Sequence, residues 1–204
     1  SKCEVIRITR KRNPIQASYS LHGKALAIVK HGKYLGVNIA EDLSWNTHVA
    51  STSKKANQSL AFLRRNLASC PQDVKAQSYM SLTRPILEYA STAWDPHTIN
   101  NIQEIEAVQR RAARFVTGDY RTTSSTTRMI NDLGWQSLQQ RRTTTKLVMM
   151  YRIIYHLVDV PTPSTIFKPV QCGENPCRYA TMYIYCYNII FPPIANLHLF
   201  FLKT

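Results

Sequence analysis

Neighbouring acids are where chemistry would first show in this chain. Two carboxylates side by side can hold a pair of divalent ions about 4 Å apart, one activating a hydroxyl and the other steadying a leaving group. The sequence has 12 Asp and Glu, and no two Asp are adjacent. Glu41-Asp42 stands at the entry of a helical pattern, where capping and the positive end of the helix dipole account for it. Cys172-x4-Cys177, with Cys186 and His198, has neither the spacing nor the turn chemistry of a zinc ribbon or knuckle. No Gly-rich phosphate loop is present, and no Ser/His/Asp constellation stands out. These residues predict no catalytic site, no metal site and no cofactor in this chain.

Cations are the other chemistry-bearing group, and they are abundant. Against 26 Lys and Arg the 12 acids leave a formal charge of +14. Such an excess favours a polyanionic partner, because each neutralised phosphate releases condensed counterions. Arg64, Arg65, Arg110, Arg111 and Arg114 are the candidates for phosphate contact, since a guanidinium fork can grip two phosphate oxygens. For any one of them a solvated helix face is the competing account. Tyr34, Tyr79, Tyr89, Trp94 and Trp135 could stack on bases, although core packing is favoured for Tyr89 and Trp94, which lie in the most apolar helical segment.

The elements that must position these residues follow from periodicity. Residues 3–39 read as an antiparallel meander, with Asn13-Pro14, His22-Gly23 and His31-Gly32 as its turns. From Ser44 the period becomes helical. Asp42 or Ser44 can cap a helix in which Val49, Ser53, Ala56, Leu60, Leu63 and Leu67 recur. A second helix starts near Pro71, is expected to be central and to kink at Pro85, and runs to Asp95-Pro96. A third starts at Thr98 or Asn100, carries Ile105, Val108, Ala112, Phe115 and Val116 on one side, and ends at Gly118. On its wheel Arg110 and Arg114 fall opposite that side, with Arg111 on the flank. A Thr/Ser-rich loop and a short turn from Met129 lead to a last helix from about Gln136 to Val158, with Leu147, Tyr151, Ile154 and Val158 as its stripe. The chain therefore reads as α+β and mainly α. A small N-terminal β-meander (1–42) precedes a helical bundle (43–160) and a poorly structured, Pro-rich apolar tail (161–204). Ala180 to Leu202 carries no Asp, Glu, Lys or Arg. Its interior Asn, His and Pro residues argue against a membrane span.

Several short blocks occur in a telling order. Lys2-Cys3-Glu4-Val5, His31-Gly32-Lys33-Tyr34-Leu35-Gly36-Val37, Asp42-Leu43-Ser44-Trp45, Arg84-Pro85-Ile86-Leu87-Glu88-Tyr89-Ala90 and Val108-Gln109-Arg110-Arg111-Ala112 follow one another. Together they resemble the C-terminal half of reverse transcriptases of non-LTR (LINE-type) retrotransposons, of the CR1-like and jockey-like kind. The resemblance runs from Ser1 to about Lys168. It implies that 1–42 is the end of the palm with the primer-grip hairpin, and that the helices are thumb and connection, which clamp an RNA–DNA hybrid. By the same resemblance Lys30, Lys33 and Tyr34 would place the primer end, with Gly36 shaping the backbone beside them. Lys2 would lie near the incoming nucleotide. The intact family enzyme uses two Mg ions held by an aromatic-x-Asp-Asp turn and an earlier Asp, and this chain has no Asp-Asp. The expectation is a fragment, inactive as a polymerase by itself, whose partners are nucleic acid and the missing N-terminal polymerase segment. The family's aromatic-Phe-Pro-Arg block near the end has only an echo in Tyr187 to Pro193.

Two alternatives belong to other classes. One is a helical protein-interaction module in which charge serves solubility and a partner covers the apolar second helix. The other is the N-terminal region of an AlkB-like RNA dioxygenase, which Tyr34 to Leu67 resembles over a short span. No His here is followed two residues later by Asp or Glu, as that iron site would need. The odd cysteine count and the lack of a secretory leader point to a nuclear or cytoplasmic setting.

Overall fold

The structure, a computed structural model, describes residues 3–9 and 17–159, together with the strand at residues 197–202. It is α+β and mainly helical. The strands are β1 (Cys3–Ile8), β2 (Ser20–Leu21), β3 (Lys24–Ala25), β4 (Ala27–Ile28), β5 (His31–Tyr34), β6 (Val37–Ala40) and β7 (Leu197–Leu202). The helices are α1 (Asn46–Asn66), α2 (Gln72–Ser78), α3 (Arg84–Glu88), α4 (Ile99–Thr117), α5 (Thr126–Asp132) and α6 (Leu138–Ile154).

The N-terminal strands form antiparallel hairpins β2–β3 and β5–β6, plus a small sheet of order β4-β1-β7. In that sheet β4 runs parallel to β1, with Val5 opposite Ile28, and β7 runs antiparallel to β1, with Cys3 opposite Leu202. The meander is therefore interrupted by one parallel pairing, and part of the expected tail is a strand. The rest of that tail, the cysteine cluster and the residues from Ala180 to Ala195 lie outside the described residues. His22-Gly23 makes a turn as expected, with both φ positive. The second hairpin turn lies elsewhere than expected. Gly32 sits within β5, and the reversal is at Leu35-Gly36, with φ of 44° and 83°. Two successive positive φ values are what a type I′ hairpin turn requires, and its twist matches that of the strands it joins.

The helical stripes of α1 and α4 bury the anticipated residues. Val49, Ala56, Ile105 and Val108 join Val37, Trp45, Leu87, Trp94 and Leu138 in one cluster. Leu60, Leu63, Ala112, Phe115 and Val116 join Tyr79 in the next. Asn101 Nδ2 donates to Asn46 Oδ1 at 2.8 Å, and Arg111 Nη1 donates to Asn57 Oδ1 at 3.1 Å. Both contacts increase together along the chain, so α1 and α4 lie side by side and run parallel, at an offset of 55 and 54 residues. Neither Asp42 nor Ser44 caps α1. Asp42 Oδ1 instead accepts from Ser44 N at 2.9 Å, an Asx turn that competes with capping.

The second helical segment departs most from expectation. A π-helical turn, Tyr79–Thr83, separates α2 from α3, and Arg84 N reaches back to Tyr79 O. The extra residue in that turn accommodates Pro85, which has no N–H to continue the ladder. The segment stops at Glu88 rather than Asp95, because Ala90 takes a φ of 52° and turns the chain to drive Trp94 into the core. Leu82 and Tyr89 are exposed, so the segment is not buried on all sides. In α6 the buried line is Leu138, Arg142 and Met150, whereas Tyr151 and Ile154 are exposed. Among the described residues no helix is long and apolar enough to cross a membrane.

His48 links the layers. Its ring is 4% exposed, packs edge-on against Trp94 at 4.4 Å, and accepts from Asn38 N through Nδ1 at 3.2 Å. Burial first, then the nearby Lys55 charge, pull its pKa from 6.5 down to about 4. Between those values the unfolded chain binds the extra proton, so this contribution is complete above pH 6.5 and is lost as pH falls to about 4. The loss should reach about 3 kcal/mol at most. Denaturant unfolding of the native chain and of His48→Gln, which keeps an acceptor for Asn38, should show this pH slope in the first and a much flatter one in the second.

Candidate nucleic-acid interface

The β5–β6 hairpin carries one set of candidate residues. Lys30, Lys33, Tyr34 and Gly36 are all exposed along it. Gly36 is required there twice over. Its φ is +83°, and a Cβ would come within 3.1 Å of Tyr89 Cε1. Tyr89 Oη donates to Leu35 O at 3.0 Å, across 54 residues of chain. Tyr89 is thus no core residue, because it leaves the helical segment to brace the hairpin tip. Beneath the tip, Gly36, His48, Thr52, Lys55, Pro85 and Tyr89 line a hollow of about 420 Å³.

Helix α1 leads away from that hairpin. Sixteen residues separate His48, which bonds the hairpin, from Arg64, or about 24 Å of helix. Between them Lys54 lies on the rim of a groove of about 630 Å³ between α1 and α4, with Asn57, Gln58, Glu104 and Arg111. The floor of this groove is small: Ala50, Ser53, Ala61 and Ala107.

At the far end the two parallel helices finish together. Arg64 Cζ lies over the Tyr120 ring, 5.5 Å from its centroid, and Lys75 Nζ lies over Phe115 at 5.7 Å. Arg65 is exposed beside them. Arg114 Nη1 donates to Arg121 O at 3.0 Å, and Arg110 Nη2 donates to Gln103 O at 3.2 Å. Each of these guanidinium groups uses only part of its five donors in the bond named. The structure therefore places four of the nine sequence candidates on the hairpin, Arg64, Arg65 and Arg114 near the helix ends, and Arg110 and Arg111 further back along α4, with Arg111 in the groove beside Lys54.

Three acids are spent on α6, while Glu104 stays on the rim of the α1–α4 groove. Glu88 pairs with Arg141 and Arg84, Asp95 with Lys146, and Glu106 Oε1 accepts from Gln139 N at 2.8 Å. All three acids thereby meet α6. Asp119, near the helix ends, is chelated by Arg121 and Ser124, whose hydrogen bonds hold its carboxyl well below the usual range. Tyr79 and Trp135 stack on one another at 4.7 Å. Tyr79 is buried, which raises its pKa, and Trp94 is fully buried as well, so neither offers a ring to a base.

Three features of this surface escaped the sequence. Lys54, Lys55 and Lys75 carry no motif, although the first two fall on the outward face of α1 when its buried stripe is drawn on a wheel. Tyr120 follows the helix-ending Gly118 and belongs to no periodic pattern. Arg142 is the buried cation, 2% exposed, lying over Trp94 at 5.2 Å and donating to Leu87 O at 3.3 Å. Burial lowers its pKa, and the hydrophobic period gives no sign of it. Among the described residues no cluster of three or more His, Cys, Asp or Glu is arranged to hold a metal ion.

The arginines at the helix ends have a structural duty whatever they bind. Two parallel helices bring two negative dipole ends together, and cations in the last turns offset them. Replacing Arg64 and Arg65 by Gln should lower stability by roughly 0.5–1 kcal/mol in low salt, with the loss fading at high salt. Thermal unfolding at two ionic strengths measures it.

No family model matches the chain, and no solved structure matches it. A search of curated proteins finds a Drosophila melanogaster protein described as a probable RNA-directed DNA polymerase from transposon BS. The two are 27% identical over 108 residues, which are 52% of this chain and 12% of that protein. Over half its length, this chain is similar to a small part of a transposon RNA-directed DNA polymerase.

Proposed function

We propose that this chain is a nucleic-acid-gripping segment of a LINE-type retrotransposon reverse transcriptase, from the region beyond the polymerase active site. Residues 1–42 bring the hairpin that meets the primer end, and 43–160 form the thumb-like bundle that lies along the RNA–DNA hybrid. The observation that carries this reading is the partition of charge. The acids facing α6 are neutralised there, while Lys54, Arg64, Arg65, Arg110, Arg111 and Arg114 remain along the α1–α4 edge. Lys30 and Lys33 extend the same sign onto the hairpin. The similarity to a transposon RNA-directed DNA polymerase supports the polymerase assignment, and the ordered sequence blocks support the finer one.

In this reading the residues bind and orient, and none of them performs the transfer. The guanidinium groups grip phosphates through spare N–H donors, and Tyr89 sets the height of the hairpin tip over α1. The two Mg ions of the intact enzyme would be held by acids that this sequence does not contain, so the segment alone should not extend a primer.

Binding to a short RNA–DNA hybrid should weaken with salt. With about five phosphate contacts, log K against log salt should have a slope near −4. No binding at low salt would end the proposal. Replacing Arg110, Arg111 and Arg114 together by Ala should flatten the slope by about 2 to 3 while helical circular dichroism is retained.

A second reading, a protein-interaction module, draws on one observation. Val148, Tyr151, Ile154, Tyr155 and Leu157 leave an apolar face exposed along and just past α6, whereas the sequence had suggested the second helix for that role. Hybrid binding unaffected by the triple arginine replacement would favour it.

A further inference from the structure

A separate hollow of about 360 Å³ lies where α1, α2 and α4 meet, lined by Arg64, Ala68, Lys75, Phe115, Gly118 and Tyr120. It is small but within the size range of ligand sites, roughly 300–1,000 Å³. Its two cations are held over aromatic rings rather than by acids. Among the described residues neither Arg64 nor Lys75 takes part in an ion pair. The acid best placed to neutralise them, Asp119, stands between Gly118 and Tyr120 but is bound by Arg121 and Ser124. Two positive charges therefore face one cavity without a counter-charge.

The rest of the lining narrows the ligand. Gly118 and Ala68 leave room, and nothing lies within 4 Å of where a Gly118 Cβ would be. Tyr120 is 52% exposed, so much of its ring surface stays open even with Arg64 over it. An inorganic anion would use the cations and leave that ring idle. A phosphate joined to a planar aromatic group would use both, because stacking on an aromatic side chain tolerates any base. The base must be unpaired, since a duplex keeps base faces against their neighbours.

We propose that this hollow seats one unpaired nucleotide of a nucleic-acid strand, with its phosphate between Arg64 and Lys75 and its base against Tyr120. The site rests on the reading that the chain binds nucleic acid, but it concerns single-stranded extensions rather than the hybrid itself.

The test compares a blunt RNA–DNA hybrid with the same hybrid carrying a short unpaired extension, both titrated against the whole chain by fluorescence anisotropy. The extension should tighten binding about tenfold. Tyr120→Ala should abolish that gain, so that the variant binds the extended and the blunt hybrid equally. Tyr120→Phe, which keeps the ring, should retain the gain, and Lys75→Ala should reduce it. An extension that adds nothing, or a gain that survives Tyr120→Ala, overturns the site while leaving the grip on the hybrid intact. Failure to bind the blunt hybrid, with Tyr120-dependent binding of the extension strand alone, instead removes the gripping function and supports the site.

Discussion

The bundle is organised around the indole of Trp94. His48 meets it edge-on, Arg142 lies over it, and its own Nε1 donates to Tyr89 O at 2.8 Å. Through these contacts α1, α3 and α6 share one ring, and His48 carries the connection on to the β5–β6 hairpin. A large aromatic is suited to this, because it offers apolar area, a π face for a cation and one N–H that must be satisfied. Removing it would open a cavity costing about 3–5 kcal/mol and would also take from the buried guanidinium of Arg142 a π face worth about 2 kcal/mol. Positions of the hairpin and the helical layer are thus set by one side chain that touches no candidate ligand.

Charge is arranged around the same centre. Arg141, next to Arg142, and Lys146, about one helical turn beyond it, tie α6 to Glu88 and Asp95. This consumes acids where the bundle closes and leaves the far edge positive. Parallel packing of α1 and α4 adds to the effect, because two helix ends of like polarity need cations nearby. The arginines at that edge therefore have a reason to exist before any polyanion arrives.

What the sequence disclosed, and what it hid, divides along physical lines. The stripes of α1 and α4 were legible because a 3.6-residue period reports burial directly, and Gly118 because its αL backbone favours glycine (φ 70°). Leu35-Gly36 was hidden behind the equally plausible His31-Gly32, since Leu is an unusual choice at positive φ and its support comes from Tyr89, far away in sequence. Tyr89 itself looked like core for the same reason: its partner is tertiary. In α6 the buried line contains an arginine, so a count of apolar residues chose the wrong face. Candidate residues for phosphate contact could be named from the sequence, but their distribution over the hairpin, the groove and the helix ends needed the fold.

The parallel course of α1 and α4 also bears on how the chain acquires its shape. Helices that run the same way cannot be joined by a tight loop, so the whole α2–α3 passage must cross over before they can zip. Their contacts are some 55 residues apart, a separation that slows the search for native topology. During synthesis α1 would leave the ribosome with its apolar stripe bare until α4 followed. Shielding α1 in that interval, or synthesis fast enough to shorten it, should raise the yield of folded protein.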